Sequence, residues 1–499
     1  MLLLQELIEK LRTSSWSVDC VEMQLTPGSD ARSGTHAGPG YFRQEADGTI
    51  AYKVYPPPPA SFDPRSISSR PGVAGRILGA ERFHRLEARD KTGIVWQAAR
   101  TLPIPESCLL GGKPFEIVSG TAYELTFTRS FVKQEIHCLT LVFFTDERVP
   151  GNASTEVATL RPDGSSSKKT TLDTAVFSTV FGDFSIYNNS GALVVEVVSK
   201  NEFPPHFETR IVEALGLVLA KPLAWNVIER YENATEIVRV RGRREVIDAK
   251  LPPPIATGKI DFSGGGIWLL FDKYLAMICS KTEEDFHCCS RHLFAVLEAS
   301  AGVISARGLA LGVAAEGIAK ELHPLAGAPM EGIAEVIQPL TDHCLDWAGM
   351  PKGELGESLR RRLPGMIGQL NNVSTKDKLR ALVDDKVIYP AHIRAWSDLR
   401  NTLAHGVAAG GEDIQELVDL CDRVTVLMYH LIFRAVGYEG NYKDYSVHGW
   451  PKKYYRGRPV TQEEIAIAAY YIWKNSGEPD GRDVAHWLQG REDLEKGLY

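Results

Sequence analysis

The apolar positions change period along this chain, and each change predicts a different kind of element. Over residues 2–12, Leu3, Leu4, Leu7, Ile8 and Leu11 recur at helical spacing and predict a short amphipathic helix. A stretch rich in Gly, Ser and Pro follows at 24–40, and Pro56-Pro57-Pro58-Pro59 reads as a stiff polyproline spacer. From about 70 to 245 the pattern is one of short β-rich runs, at 93–97, 122–127, 138–144 and 192–198. Asp47-Gly48, Asp163-Gly164 and Asn188-Asn189-Ser190-Gly191 punctuate this half as turns, and Ser165-Ser166-Ser167-Lys168-Lys169 reads as an exposed loop. One helical segment interrupts at about 206–221, where Ile211, Leu215, Leu217 and Val218 crowd together. The expectation is a β-rich, sandwich-like domain with helical additions.

Three consecutive prolines in Leu251-Pro252-Pro253-Pro254-Ile255 end any regular structure, so a boundary falls there. Beyond it Ala, Leu, Glu and Ile dominate, and helices are predicted over 267–300, 302–322, 328–349, 354–371, 374–384, 389–405 and 411–436. Residues 441–460 interleave aromatic and basic side chains, among them Tyr442, Lys443, Tyr445, Trp450 and Lys453. The tail opens on a capping box, Thr461-Gln462-Glu463-Glu464, ahead of a helical face of Ile465, Ala468, Ala469, Ile472 and Trp473. A turn at Gly477-Glu478-Pro479-Asp480-Gly481 leads to a second helix with Val484, Trp487 and Leu488. Glu464-Ile465-Ala466, Trp473, that turn and His486-Trp487-Leu488 resemble a short bacterial domain of unknown function. The likeness implies a bacterial source and no activity. Gly490-Arg491-Glu492 departs from it, since that domain continues with Ala-Glu. The expected architecture is α+β and multidomain. It has a β-rich sensor or regulatory domain over 1–250, an α-helical domain over 260–440, a basic aromatic linker over 441–460 and a small helical domain over 461–499.

Composition narrows the class. With 499 residues, 44% hydrophobic and 24% charged, the chain has material for several cores. A formal net charge of −7 excludes a basic nucleic-acid coat, so any RNA contact must be a local patch. Eight scattered cysteines, without a CxxC, suit a reducing cytosol. The start, Met1-Leu2-Leu3-Leu4-Gln5-Glu6, lacks the basic region and long apolar run of a secretory signal. No apolar segment reaches the roughly 18 residues of a membrane span. A cytoplasmic protein with no membrane partner is expected.

Chemistry concentrates in Arg400-Asn401-Thr402-Leu403-Ala404-His405-Gly406, an R-N-x-x-x-H run approached by the apolar segment Ile393-Arg394-Ala395-Trp396-Ser397-Asp398-Leu399. A guanidinium grips phosphate through two hydrogen bonds and keeps its charge. An imidazole, with an unperturbed pKa of about 6.5, moves protons near neutrality. At about 100° per residue, Trp396, Leu399 and Leu403 share a narrow stripe that should face a core. Asn401 and His405 stand one turn apart on another face, close enough to hydrogen-bond, and Arg400 lies between the two faces. Gly406 fits a helix C-cap, and the negative helix end favours the protonated imidazole. One helix so arranged does not aim Arg400 and His405 at a common point. Two helices across a twofold axis can, which is a physical reason to expect a homodimer with a shared cleft.

With its surroundings the motif resembles the HEPN superfamily of ribonucleases, over about residues 265–440. In that superfamily R-N-x-x-x-H sits on a helix of an all-α domain and is often followed by glycine. The resemblance implies an all-α HEPN-like bundle, Arg400 and His405 as the catalytic pair, Asn401 as the polar second position, dimeric sites, and no metal or cofactor. The reaction expected is attack by an RNA 2′-hydroxyl on its own phosphate, with His405 transferring protons and Arg400 stabilising the phosphoryl charge. The products would be a 2′,3′-cyclic phosphate and a 5′-hydroxyl, and DNA should resist. The domain order resembles anti-phage members in which a toxic nuclease follows a β domain. That implies a regulated toxin partnered by RNA, by further copies of itself and by a phage-derived trigger or inhibitor protein. The alternative is a catalytically silent HEPN-like dimerisation scaffold with an N-terminal ligand- or protein-binding module. Arg400 would then pair with Asp398 or a nearby glutamate, and His405 would cap its helix.

Other clusters read more plainly. His287-Cys288-Cys289 with His292 has the wrong spacing for a zinc knuckle and is expected in or near a core. Arg360-Arg361-Arg362 reads as a solvated helix end before an RNA contact. The aromatic and basic residues of 441–460 suit base stacking or a strap packed on the bundle equally. His486-Trp487 is expected to be structural.

Overall fold

The computed structural model describes residues 2–28, 35–58, 83–110, 113–130, 135–160, 166–189, 191–242, 249–255, 265–281, 285–324, 332–348, 354–368, 373–404, 414–477 and 481–496. They fall into two units. The described residues of Met1–Glu208 and Leu223–Val246 form one, and those of Thr209–Pro222, Ile247–Asp261 and Gly265–Tyr499 the other.

The strand unit opens on α1 (Leu2–Arg12), which buries Leu11. It continues through β1 (Ser17–Pro27), β2 (His36–Gln44), β3 (Ile50–Val54), β4 (His84–Asp90), β5 (Val95–Thr101), β6 (Ile104–Leu110), β7 (Lys113–Ala122) and β8 (Leu125–Ser130). Then follow β9 (His137–Phe143), β10 (Ala153–Leu160), β11 (Ser166–Thr179), β12 (Gly182–Asn189) and β13 (Ala192–Ser199). After α2 (Phe207–Leu219), most of which belongs to the helical unit, come β14 (Val227–Glu232) and β15 (Thr235–Val240). The sheet order is β10-β11-β12-β13-β9-β14-β15-β8-β5-β4-β1-β2-β3-β7-β6, and β5 also pairs with β7. That extra pairing, Thr101 opposite Ala122, closes β5-β4-β1-β2-β3-β7 into a six-stranded barrel from which the remaining strands extend. The sandwich expectation is thereby corrected. Period-2 alternation sends Tyr52 and Val54 of β3 and Leu86 and Ala88 of β4 inward, and side chains fill so small a barrel.

The stretch expected to be loop also forms strands. β2 contains Gly38-Pro39-Gly40, which reads as a turn, yet it pairs on both sides. On β1 the register jumps from Cys20 opposite Gly40 to Met23 opposite Gly38, a bulge placed across from the proline that has no N–H to give. A Cβ at Gly38 or Gly40 would strike the Tyr55 or Lys53 carbonyl, so glycine is what lets the neighbouring backbone come close. Ser166–Lys169, expected as loop, is the start of β11 paired with β10, where the threonines that follow favour extended backbone. Asp163-Gly164 and Ser190 lie outside the described residues.

The helical unit contains α3 (Gly265–Cys279), α4 (Cys288–Ala299), α5 (Ile304–Leu322), α6 (Ile333–Ala348), α7 (Glu354–Gly368), α8 (Thr375–Asp384), α9 (Pro390–Ala404) and α10 (Ile414–Val436). The span expected as one helix over 267–300 is two, because the His287 imidazole accepts the Cys289 amide at 3.2 Å and caps α4 afresh. Cys288 and Cys289 are buried, as their apolar reading requires. Among the described residues no group of His, Cys, Asp and Glu is placed to hold a metal ion. α10 is buried continuously from Val424 to Phe433 and packs against α5 and α9.

Residues 441–460 contribute β16 (Gly440–Lys443) and β17 (Lys452–Tyr455), a two-stranded hairpin. Three tyrosines of the segment point inward, while Trp450 is 49% exposed. Tyr442, Tyr445 and Tyr455 are buried, and Tyr445 Oη donates to the Pro253 carbonyl at 2.7 Å. Lys453 pairs with Asp444 at 2.7 Å and Arg458 with Glu464 at 2.8 Å. The segment is thus largely a strap packed on the helical unit, with Trp450 left exposed beside Lys443. In the tail, α11 (Gln462–Asn475) starts on the expected capping box and meets α12 (Asp483–Lys496). Gly490 lies against Ala468 and Ala469, so the position where the tail departs from its look-alike is a close helix contact. No helix among the described residues is long and apolar enough to cross a membrane.

Candidate functional site

α9 starts on Pro390, whose fixed φ suits a first helical position, and presents Trp396 and Leu399 to the interior as the stripe predicts. Leu403 is half-buried. What receives this stripe is a pair of glycines one turn apart on α5. A Cβ at Gly308 would stand 2.6 Å from Leu403 Cδ1 and 3.1 Å from Leu399 Cδ1, and one at Gly312 would stand 3.1 Å from Arg400 Cγ. Glycine inside a helix costs about 1 kcal/mol against alanine, so two at this spacing are there for the approach of α9. The Trp396 indole N–H donates to the Gly312 carbonyl at 3.0 Å and fixes the depth of the contact.

Seated on that groove, Arg400 sends its guanidinium to the surface. Its side chain is 49% exposed, and its carbon lies 5.2 Å from the Trp396 ring centroid. Nη1 donates to Glu316 Oε2 at 2.7 Å, and Glu316 also accepts from Lys320 at 2.7 Å. Burial alone would raise the Glu316 carboxyl; the Lys320 hydrogen bond and the Arg400 and Lys320 charges outweigh it and hold the group below the usual range. Asn401, next along α9, is exposed. Arg400 and Asn401 thus stand side by side at the surface. His405 and Gly406 lie outside the described residues. Arg360, Arg361 and Arg362 are exposed on α7.

Sequence reasoning missed Glu316 and Lys320. Their signal is an i,i+4 acid–base pair following Gly308 and Gly312, on the helix face that also exposes Leu309 and Val313. Leu309, Val313, Glu316 and Lys320 recur at helical spacing, so an apolar strip runs into the charged cluster around Arg400.

Residues 460–496 match the profile of a family described as a protein of unknown function (DUF2934), which covers the tail module and no more. No curated protein matches the chain, and no solved structure does.

Proposed function

We propose that the chain is a HEPN-like, metal-independent endoribonuclease, a regulated toxin of bacterial anti-phage defence, in which Arg400, Asn401 and His405 carry the chemistry. One observation supports this most: Arg400 is held half-exposed by the glycine groove of α5, with Asn401 exposed beside it. A cation so presented can exchange its carboxylate partner for a phosphate, since both accept the same two-pronged hydrogen bonding. His405 would take the 2′-hydroxyl proton and return one to the leaving oxygen. Arg400 would stabilise charge growing on the phosphoryl oxygens, and Asn401 would orient the imidazole or bind phosphate. The apolar strip of Leu309 and Val313 beside Arg400 gives a second copy something to cover, which supports a homodimer whose two motifs share a cleft. The β-rich half would serve as sensor or regulator, facing a phage-derived trigger or inhibitor.

A specific contact favours a second reading. Arg400 is already ion-paired within its own chain, as a silent dimerisation scaffold requires. Incubation of single-stranded RNA and its all-deoxy counterpart with the full chain, in excess EDTA, separates the two. Cleavage of RNA alone supports the nuclease. An intact RNA with a stable dimer by sedimentation supports the scaffold.

A further inference from the structure

The strand unit holds a cavity of about 690 Å³ that the nuclease reading does not use. Two rows of side chains reach it from one face of the sheet. In the first, Tyr231 stands opposite Glu236, and Glu236 opposite Arg129. In the second, Glu229 stands opposite Val238, Val238 opposite Phe127, and Phe127 opposite Trp96. Alternate residues of a strand share a face, so β14, β15 and β8 deliver a polar row and an apolar row side by side. Trp16 extends the apolar row: its ring meets Trp96 at 5.7 Å, and Trp96 meets Phe127 at 4.8 Å, both edge to face.

Among the described residues, five carboxylate and three cationic side chains line the cavity, an acidic excess. Most are spoken for. Asp19 pairs with Lys91 and Glu236 with Arg129, each at 2.7 Å. Asp90 accepts the Thr92 and Ile94 amides and the Trp96 indole N–H. Glu229 is different. It is 8% exposed, its Oε1 takes the Tyr231 hydroxyl at 2.9 Å, and Glu236 crowds it from the facing strand. The same hydroxyl stands 2.8 Å from Glu236, and its single hydrogen cannot serve both glutamates fully. Burial raises the Glu229 carboxyl, the Tyr231 hydrogen bond lowers it, and the Glu236 charge raises it again, for a net rise. Two buried carboxylates crowded on one hydroxyl repel each other and favour a positive charge beside them.

We propose that this cavity binds a small organic cation with a flat apolar body, its ammonium or amidinium group on Glu229 and its body against Trp16, Trp96 and Phe127. The volume lies within the ~300–1,000 Å³ of small-molecule sites, and aromatic rings attract cations at short range. An anion of the same shape would meet the net carboxylate charge. The site stands whether or not the helical unit cuts RNA.

The test is isothermal titration calorimetry on the full chain with three probes of one shape: tryptamine, neutral tryptophol and anionic indole-3-propionate, with benzamidine as a second cation. Tryptamine is expected to bind one site at least tenfold more tightly than tryptophol, and Glu229→Gln is expected to abolish that advantage while melting like the parent. Tryptophol or indole-3-propionate binding as tightly as tryptamine, an unchanged advantage in Glu229→Gln, or no binding of either cation at millimolar concentration overturns the proposal. Should Glu229→Gln fail to fold, Lys91→Glu at the exposed rim decides. It is expected to tighten tryptamine binding severalfold at low salt, and an unchanged or weaker affinity overturns the proposal.

Discussion

Mild acid should loosen the helical unit through a buried histidine. His392 on α9 is 2% exposed, and its ring lies 5.2 Å from that of His430 on α10, which is also buried. Tyr389, Tyr442, Tyr455 and Phe433 ring the pair. Burial lowers His392 to about 4; Asp444 pulls the other way and Lys453 adds to the fall. Burial, then the neighbouring His392 and Lys453, push His430 down as well. In the unfolded chain a histidine titrates near 6.5. Between pH 6.5 and 4 the unfolded state therefore holds the extra proton. The stability is intact above pH 6.5 and drains away as pH falls toward 4. The fall from about 6.5 to about 4 puts the His392 share at about 3 kcal/mol. The assay is urea unfolding of the parent and His392→Leu from pH 7.5 to 4. Carboxylates titrate alike in both chains and cancel in the difference. The gap should move in favour of His392→Leu by about 3 kcal/mol across that range. Parallel curves would show that His392 takes up its proton without unfolding and would refute the reasoning.

Three further outcomes follow from the packing. Gly308→Val must displace Leu399 and Leu403, and thermal melts should show a loss of about 1–3 kcal/mol; an unchanged melt would mean that α5 and α9 do not meet there. Arg210 and Glu213 on α2 are both buried and pair at 2.7 Å, so Arg210→Ala should cost about 3–5 kcal/mol in urea unfolding; a joint Arg210→Met and Glu213→Leu exchange should cost less, since it leaves no lone charge, though the His287 amide loses its acceptor. Val313→Asp should shift the proposed dimer to monomer in sedimentation velocity without changing the melt of the monomer; a parent that is already monomeric removes the shared cleft.

Most helices were legible because they announce themselves locally, the break between α3 and α4 at His287 excepted. The Thr461 capping box, the 3.6-residue apolar rhythm of α10 and the Trp396–Leu399 stripe need no knowledge of distant residues. The barrel was not. Its closure rests on Thr101 meeting Ala122, and β2 hides behind Gly38-Pro39-Gly40, whose turn-like composition is resolved by a bulge on another strand. The cavity was hidden for a related reason. Glu229, Tyr231, Glu236 and Arg129 alternate as a solvent-facing edge would, and only cross-strand register reveals that they meet. At the motif, the sequence points to Arg400 and Asn401 directly, while Glu316 depends on how two helices cross.

The most direct measurement is the rate at which a 5′-labelled RNA is cut by the parent chain and by His405→Ala, in EDTA, with the ends of the fragments identified. Fragments ending in 2′,3′-cyclic phosphate are expected from the parent, with a rate at least about a hundredfold lower for His405→Ala, the scale of a lost general acid–base group. Equal rates, or fragments ending in a 3′-hydroxyl, would contradict this mechanism.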